Sequence, residues 1–329
     1  MYMPAALGGA HGATAADQAP TVPTLTLDEL RAKYELPNSR YIDIDGVDLH
    51  YVDEGSGPVV VFLHASYNGL QSWEGVTSRL KPRYRTVRFD FPNYGLSGSE
   101  TKPTPAEKFH LIERNYEIMV GFIDALDLER FAVVGTSSGG SVAFRYAARH
   151  PERVERLILI NSAGMPRTPR TDPLRSRIKF AKYEAMPVKP REFWELASTE
   201  NFIPPNTAPD WWLDQVYDFN RREGALEEQK RYRFSTGDPE TLFSQIQAPT
   251  LIMWGKDNPV VMHLEANVMQ LWMTGAPSII RKYPGLGHYP YVEDVDAVYP
   301  DIAAFLDGEL DGELRRTARV KPGSDCGCD

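Results

Sequence analysis

The order of apolar and turn-rich segments predicts an α/β protein, a mainly parallel sheet covered by helices on both faces and interrupted by a helical insertion. Three observations carry that prediction. Across residues 59–160 short apolar runs alternate with segments of helical apolar spacing. Near Gly164 this rhythm stops, and a stretch rich in Pro, Arg and aromatic residues runs to about Thr236. From Pro249 the alternation of strand and helix returns and continues to Phe305.

The elements follow in order. Residues 41–44 and 49–52 alternate as a half-exposed antiparallel hairpin around Asp45-Gly46, whereas residues 59–63 are continuously apolar, as in a strand buried on both faces. Residues 86–89 read as a short strand. Residues 105–126 read as a helix, with Ile112, Tyr116, Met119, Val120, Phe122 and Ile123 on its apolar face. A strand over 131–134, a helix over 141–149 and a strand over 156–160 come next. After the insertion, residues 249–254 and 278–283 read as strands, and 264–272 and 295–305 as helices.

With 329 residues the chain can form one large α/β domain with an insertion. Hydrophobic residues make up 42% and charged residues 25%, the balance of a folded globular protein. No apolar run reaches the roughly 18 to 20 residues that span a bilayer. The formal charge of −9 argues against nucleic acid or an anionic membrane as partner, since both call for a basic surface. Cys326 and Cys328 are the only cysteines, so no disulfide framework holds the fold. Two ligands in a tail also fall short of a structural zinc site. The first residues lack the basic start and apolar centre of a secretory signal, so the cytoplasm is the expected compartment. The small residues 13–16 leave a processed exported precursor as the alternative.

The chemistry starts at Val133-Val134-Gly135-Thr136-Ser137-Ser138-Gly139-Gly140, an apolar strand running into Gly-x-Ser-x-Gly and then a helix. A serine on such a sharp turn is backbone-strained, and the positions two before and two after it must be small. Gly135 and Gly139 meet that demand, which nominates Ser137 as a nucleophile at a helix N-terminus. The second motif, Tyr283-Pro284-Gly285-Leu286-Gly287-His288, is a glycine-flanked loop after a predicted strand. It suits a general base that must approach the serine closely, which nominates His288. The third candidate lies after Trp254, in Gly255-Lys256-Asp257-Asn258-Pro259.

In this order, nucleophile, acid and then histidine, the chain resembles an α/β-hydrolase-fold enzyme over about residues 41–306. The resemblance implies a mainly parallel eight-stranded sheet with an inserted helical cap. The divisions are an N-terminal extension over 1–38, core over 39–163, cap over 164–240, core again over 241–309 and a tail over 310–329. In similar enzymes the acid stands three residues beyond the glycine, where this chain has Asn258. Asp257, two beyond, is assigned the acid here on the expectation that the loop is one residue shorter. An asparagine could orient the imidazole but not offset its charge. Leu63-His64-Ala65-Ser66 resembles the loop that supplies an oxyanion donor, with Ala65 in place of the usual glycine. It implies that the backbone N–H groups of Ser66 and Ser138 form the oxyanion hole. Trp73, Trp194 and Trp211 are the candidate pocket residues.

The reaction implied is hydrolysis of a carboxylic ester or lactone with an apolar or aromatic body, through an acyl-enzyme and without cofactor or metal. The partner is the small-molecule substrate. A serine nucleophile argues against the dehalogenases and epoxide hydrolases of the fold, which use aspartate. A carbon–carbon bond hydrolase, an amidase and an inactive ligand-binding member are the alternatives. The eight Lys and Arg of residues 167–191 are read as a solvated face of the insertion.

Overall fold

The computed structural model describes residues 22–166, 180–183 and 186–316. The small residues 13–16, most of the basic stretch 167–191, and Cys326 and Cys328 lie outside the described residues.

Eight strands form the main sheet: β1 (Arg40–Ile44), β2 (Val47–Glu54), β3 (Val59–Leu63), β4 (Arg85–Phe89), β5 (Phe131–Thr136), β6 (Val154–Ile160), β7 (Thr250–Gly255) and β8 (Ser278–Tyr283). Their spatial order is β1-β2-β4-β3-β5-β6-β7-β8. The first hairpin and the β2–β4 pairing are antiparallel, and every other pairing is parallel. The sheet is therefore the mainly parallel α/β-hydrolase sheet that the sequence pattern and its resemblance predict.

Each central strand feeds two cores because successive side chains point to opposite faces. Val61, Leu63, Val133 and Leu159 pack on one face with Ile118, Phe122 and Phe144. Val60, Phe62, Val134 and Ile158 pack on the other with Trp73, Val298 and Ile302. This two-sided burial explains why these strands read as continuous apolar runs.

Some boundaries move. The helix expected over 105–126 is shorter, Leu111–Ala125, and is capped by His110, whose ring accepts from Glu113 N–H at 3.2 Å. Phe109–His110 instead pairs in parallel with Tyr232–Arg233 of the insertion. Beyond the last helix, Arg315 exchanges two backbone hydrogen bonds with Ser278 at the sheet edge, of 2.8 and 3.0 Å.

The N-terminal segment carries a helix that the sequence reading lacked, α1 (Leu27–Tyr34). Its start is a capping box in which Thr26 and Glu29 satisfy each other's backbone N–H groups. Leu30 is buried against Leu96 of the core and Phe219 of the insertion. Lys33 Nζ and Tyr34 OH both donate to Asp218 Oδ2 at 2.6 Å. This helix thus ties the insertion to the sheet domain. Among the described residues, no helix is long and apolar enough to cross a membrane.

Candidate active site

The candidate residues gather at the C-terminal ends of the parallel strands. Here β5 passes into the helix Ser137–Arg149, and Ser137 sits at the junction with φ of 50°. That conformation is costly for a non-glycine residue and is held by its surroundings. Ser137 O accepts from Ala163 N–H at 2.9 Å. A Cβ on Gly139 would strike the carbonyl oxygens of Leu63 and His64, and one on Gly135 would lie 2.6 Å from Gly139 O. The glycines of Gly-x-Ser-x-Gly therefore let the turn press against the end of β3.

The loop after β3 is braced by His64. Its Nδ1 is 2.7 Å from Ala65 O, and its Nε2 accepts from Phe91 N–H at 2.9 Å. A carbonyl can only accept, so Nδ1 carries the proton. Burial pushes the pKa of His64 down, which keeps this ring neutral. One nitrogen holds the loop after β3 and the other ties it to the segment after β4. Ser66 then donates from its N–H to Ser138 Oγ at 2.8 Å, and from its hydroxyl to the same oxygen at 2.9 Å. The two residues expected to form the oxyanion hole are thus adjacent, but the Ser66 N–H is engaged by the Ser138 side chain.

His288 follows β8 and is 2% exposed. Its backbone N–H donates to Asn201 O of the insertion at 2.7 Å. The preceding N–H, of Gly287, donates to Glu293 Oε2 at 2.6 Å. The carbonyls of Gly287 and His288 both accept from Asn161 Nδ2 at 2.9 Å, while Asn161 Oδ1 accepts from Gly255 N–H at 3.0 Å. One buried side chain at the end of β6 therefore fastens the histidine loop to the end of β7. Asn161 is not among the candidates that the sequence offers. Its signal was an amide at a strand end, where one group can both donate and accept.

The loop after β7 departs from expectation. Asp257 is exposed, and its carboxylate accepts from Gly285 N–H at 2.6 Å, on the rim of the histidine loop. It is Asn258, 5% exposed, that reaches the imidazole, with Nδ2 at 3.1 Å from His288 Nδ1. The loop keeps the longer spacing because Asn258 Oδ1 accepts from Val260 N–H at 2.9 Å and Val261 N–H at 3.3 Å. This side-chain-to-backbone turn folds the chain back at the third position after Gly255. The assignment of Asp257 as the imidazole's partner is corrected to Asn258.

Ser137 and His288 line one cavity of about 370 Å³. Its walls come mostly from the insertion and include Phe180, Phe193, Trp194 and Trp212, with Tyr289 from the histidine loop. Trp194, one of the three candidate pocket residues, is among them. Trp73 is not, because it is fully buried in the core, stacked on Tyr291 with ring centroids 4.1 Å apart. Trp211 is 44% exposed and outside the cavity, whereas Trp212, a further 100° around the helix Asp210–Asn220, faces in. A second cavity of about 260 Å³ adjoins the first and shares Tyr67, Asn220 and Gln229 with it.

Comparisons with known proteins agree with this architecture. The family model described as alpha/beta hydrolase fold matches residues 58–187. The chain is 26% identical to a cis-3-alkyl-4-alkyloxetan-2-one decarboxylase of Shewanella oneidensis, over 82% of this chain and 89% of that protein. It is 27% identical to a 2-hydroxy-6-oxononadienedioate/2-hydroxy-6-oxononatrienedioate hydrolase of Paraburkholderia xenovorans, over 69% and 81% respectively. Among solved structures it is similar to a membrane phospholipase A described as a bacterial virulence factor. That match has a TM-score of 0.66 at 25% identity, covering 82% of this chain and 86% of the other.

Proposed function

Since the chain belongs to the α/β-hydrolase fold superfamily, we propose that it hydrolyses a carboxylic ester or lactone with an apolar or aromatic body through an acyl-enzyme on Ser137. The observation that carries this reading is the strained Ser137 and the buried His288 on the wall of one aromatic-rich cavity. A strand-to-helix turn lifts a serine hydroxyl out of the backbone, and the imidazole loop supplies the proton carrier.

The steps balance as follows. Ser137 Oγ bonds to the acyl carbon and its proton passes to His288 Nε2. The tetrahedral intermediate collapses, breaking the bond to the alkoxide, which takes the proton. Water then attacks the acyl-enzyme by the same path in reverse order of groups, releasing the acid and restoring Ser137. The residues Phe193, Trp194 and Trp212 give the cavity a surface for an apolar acyl group. The adjoining cavity offers room for the leaving group. The similar structure is named a phospholipase A, and the oxetan-2-one in another relative's name is a four-membered lactone, which that name has decarboxylated rather than hydrolysed.

Carbon–carbon bond hydrolysis is the second reading, favoured by the relative named for 2-hydroxy-6-oxononadienedioate. Turnover of a p-nitrophenyl ester series from acetate to octanoate, a panel of lactones and a 2-hydroxy-6-oxodienoate decides between them. The proposal expects ester or lactone turnover that is lost in Ser137→Ala. Turnover of the dienoate alone moves the function to the second reading.

A further inference from the structure

The two ends of the Asn258 amide are told apart by their surroundings. Its oxygen end faces two backbone donors, Val260 N–H and Val261 N–H, so that end must be the acceptor. The end facing His288 Nδ1, 3.1 Å away, is therefore the NH2 group. An NH2 group only donates, so Nδ1 must accept, and a neutral imidazole that accepts at Nδ1 carries its proton on Nε2. Turning the amide over would set its NH2 against both backbone donors. Moving the ring proton to Nδ1 would set two donors face to face.

We infer that Asn258 is a positioning residue that holds the His288 imidazole in the Nε2–H form at rest, so that Nε2 takes the Ser137 proton only after the ring's own proton has moved to Nδ1 with loss of the Asn258 contact. The backbone of the histidine loop cannot relieve this by shifting. It is fixed by Asn161 on its carbonyls and by Asn201 O on the His288 N–H. The amide is also chemically durable, because Pro259 has no N–H with which to close the cyclic imide that converts asparagine to aspartate.

The pocket around Asn258 suits a carboxylate equally well. One oxygen of an aspartate would keep the Val260 and Val261 N–H bonds, and the other would accept from Nδ1–H, leaving Nε2 free to take the Ser137 proton. Asn258→Asp is thus expected to raise the rate of acyl transfer by roughly 100-fold or more, up to about 10⁴-fold, the factor by which the converse change impairs a serine triad. The kinetic part of the inference rests on the proposed acyl transfer, while the position of the proton does not.

The test has two arms. Nitrogen-15 NMR of histidine-labelled protein near pH 7, with the His288 signals assigned by their loss in His288→Gln, reads the proton directly. The expected result is protonated Nε2 and bare Nδ1 in the native protein, and the reverse in Asn258→Asp. A proton on Nδ1 of the native ring, or on both nitrogens, overturns the inference. In the second arm p-nitrophenyl ester turnover is compared for native protein, Asn258→Asp and Asp257→Asn. A gain of 100-fold or more in Asn258→Asp alone supports the kinetic part. An unchanged or lower rate in a folded Asn258→Asp protein with detectable native turnover overturns it. If no variant turns over any ester or lactone, the proposed function fails and the NMR arm still decides the position of the proton.

Discussion

Asn161 is the residue whose removal tests the architecture of the histidine loop most severely. It is fully buried, and Asn161→Ala deletes both donors to the carbonyls of Gly287 and His288 and the acceptor of Gly255 N–H. A buried N–H left unsatisfied costs about 1–3 kcal/mol, and the two carbonyls lose about 1 kcal/mol between them, being able to share other donors. The backbone adds to this. Asn161 has φ of 45°, a region that asparagine tolerates and alanine resists by about 1 kcal/mol. Together these give a loss of about 3–5 kcal/mol, a large part of the roughly 5–15 kcal/mol that holds a domain together. Urea unfolding followed by tryptophan fluorescence measures it through the shift in midpoint. Turnover of an ester substrate should fall at least about tenfold as the imidazole loop loosens, since small misplacements of a catalytic group are costly. A loss under about 1 kcal/mol with native turnover would refute the idea that Asn161 fastens β6, β7 and the histidine loop together.

Other outcomes follow from neighbouring contacts. Asp257→Asn keeps an acceptor for Gly285 N–H and should leave ester turnover within about threefold of native; a fall of tenfold or more would return Asp257 to the chemistry. Ser138→Ala frees the Ser66 N–H for a developing oxyanion and should raise kcat about fivefold, the worth of one ordinary hydrogen bond. A tenfold fall would instead mean that the Ser138 hydroxyl itself holds charge in the transition state. Burial by itself would raise the Asp90 carboxyl, but the hydrogen bond from His50 and the Leu96 N–H outweigh it and hold the group below its usual 3.8. A carboxyl lowered in the folded state contributes stability that is complete above the unfolded value and is lost as pH falls through the folded one. Urea midpoints measured from about pH 5 down to about pH 3 should therefore fall more steeply for native protein than for Asp90→Asn. Equal slopes would contradict that reading.

What was legible in the sequence was what local chemistry dictates. Gly-x-Ser-x-Gly after a buried strand fixes a turn whose glycines are demanded by the neighbouring carbonyls; in the His288 loop Gly287 meets the carbonyl of Asn201 in the same way, while Gly285 is there for its φ of 76°. The sheet was legible because continuous apolar runs are the mark of strands covered on both faces. The partner of His288 was harder, because Asp257 and Asn258 are adjacent and a shift of one residue exchanges them. Only the fit of the Asn258 oxygen onto two backbone donors sets the loop length. Trp73 and Trp211 were misplaced for a related reason. An indole suits a core or a pocket equally, and stacking on Tyr291 or a 100° turn of helix decides which. The N-terminal helix is readable from Thr26-Leu27-Asp28-Glu29, a capping-box pattern ahead of Leu30, inside what the sequence division gives only as an extension.

The central claim is that Ser137 becomes covalently acylated, and the most direct measurement traps that bond. Native protein treated with a fluorophosphonate, digested and analysed by peptide mass spectrometry should carry one adduct, on the peptide spanning 137, with none in Ser137→Ala and faster labelling in Asn258→Asp. Native protein that turns over esters yet stays unlabelled, or carries the label on another residue, would contradict the account.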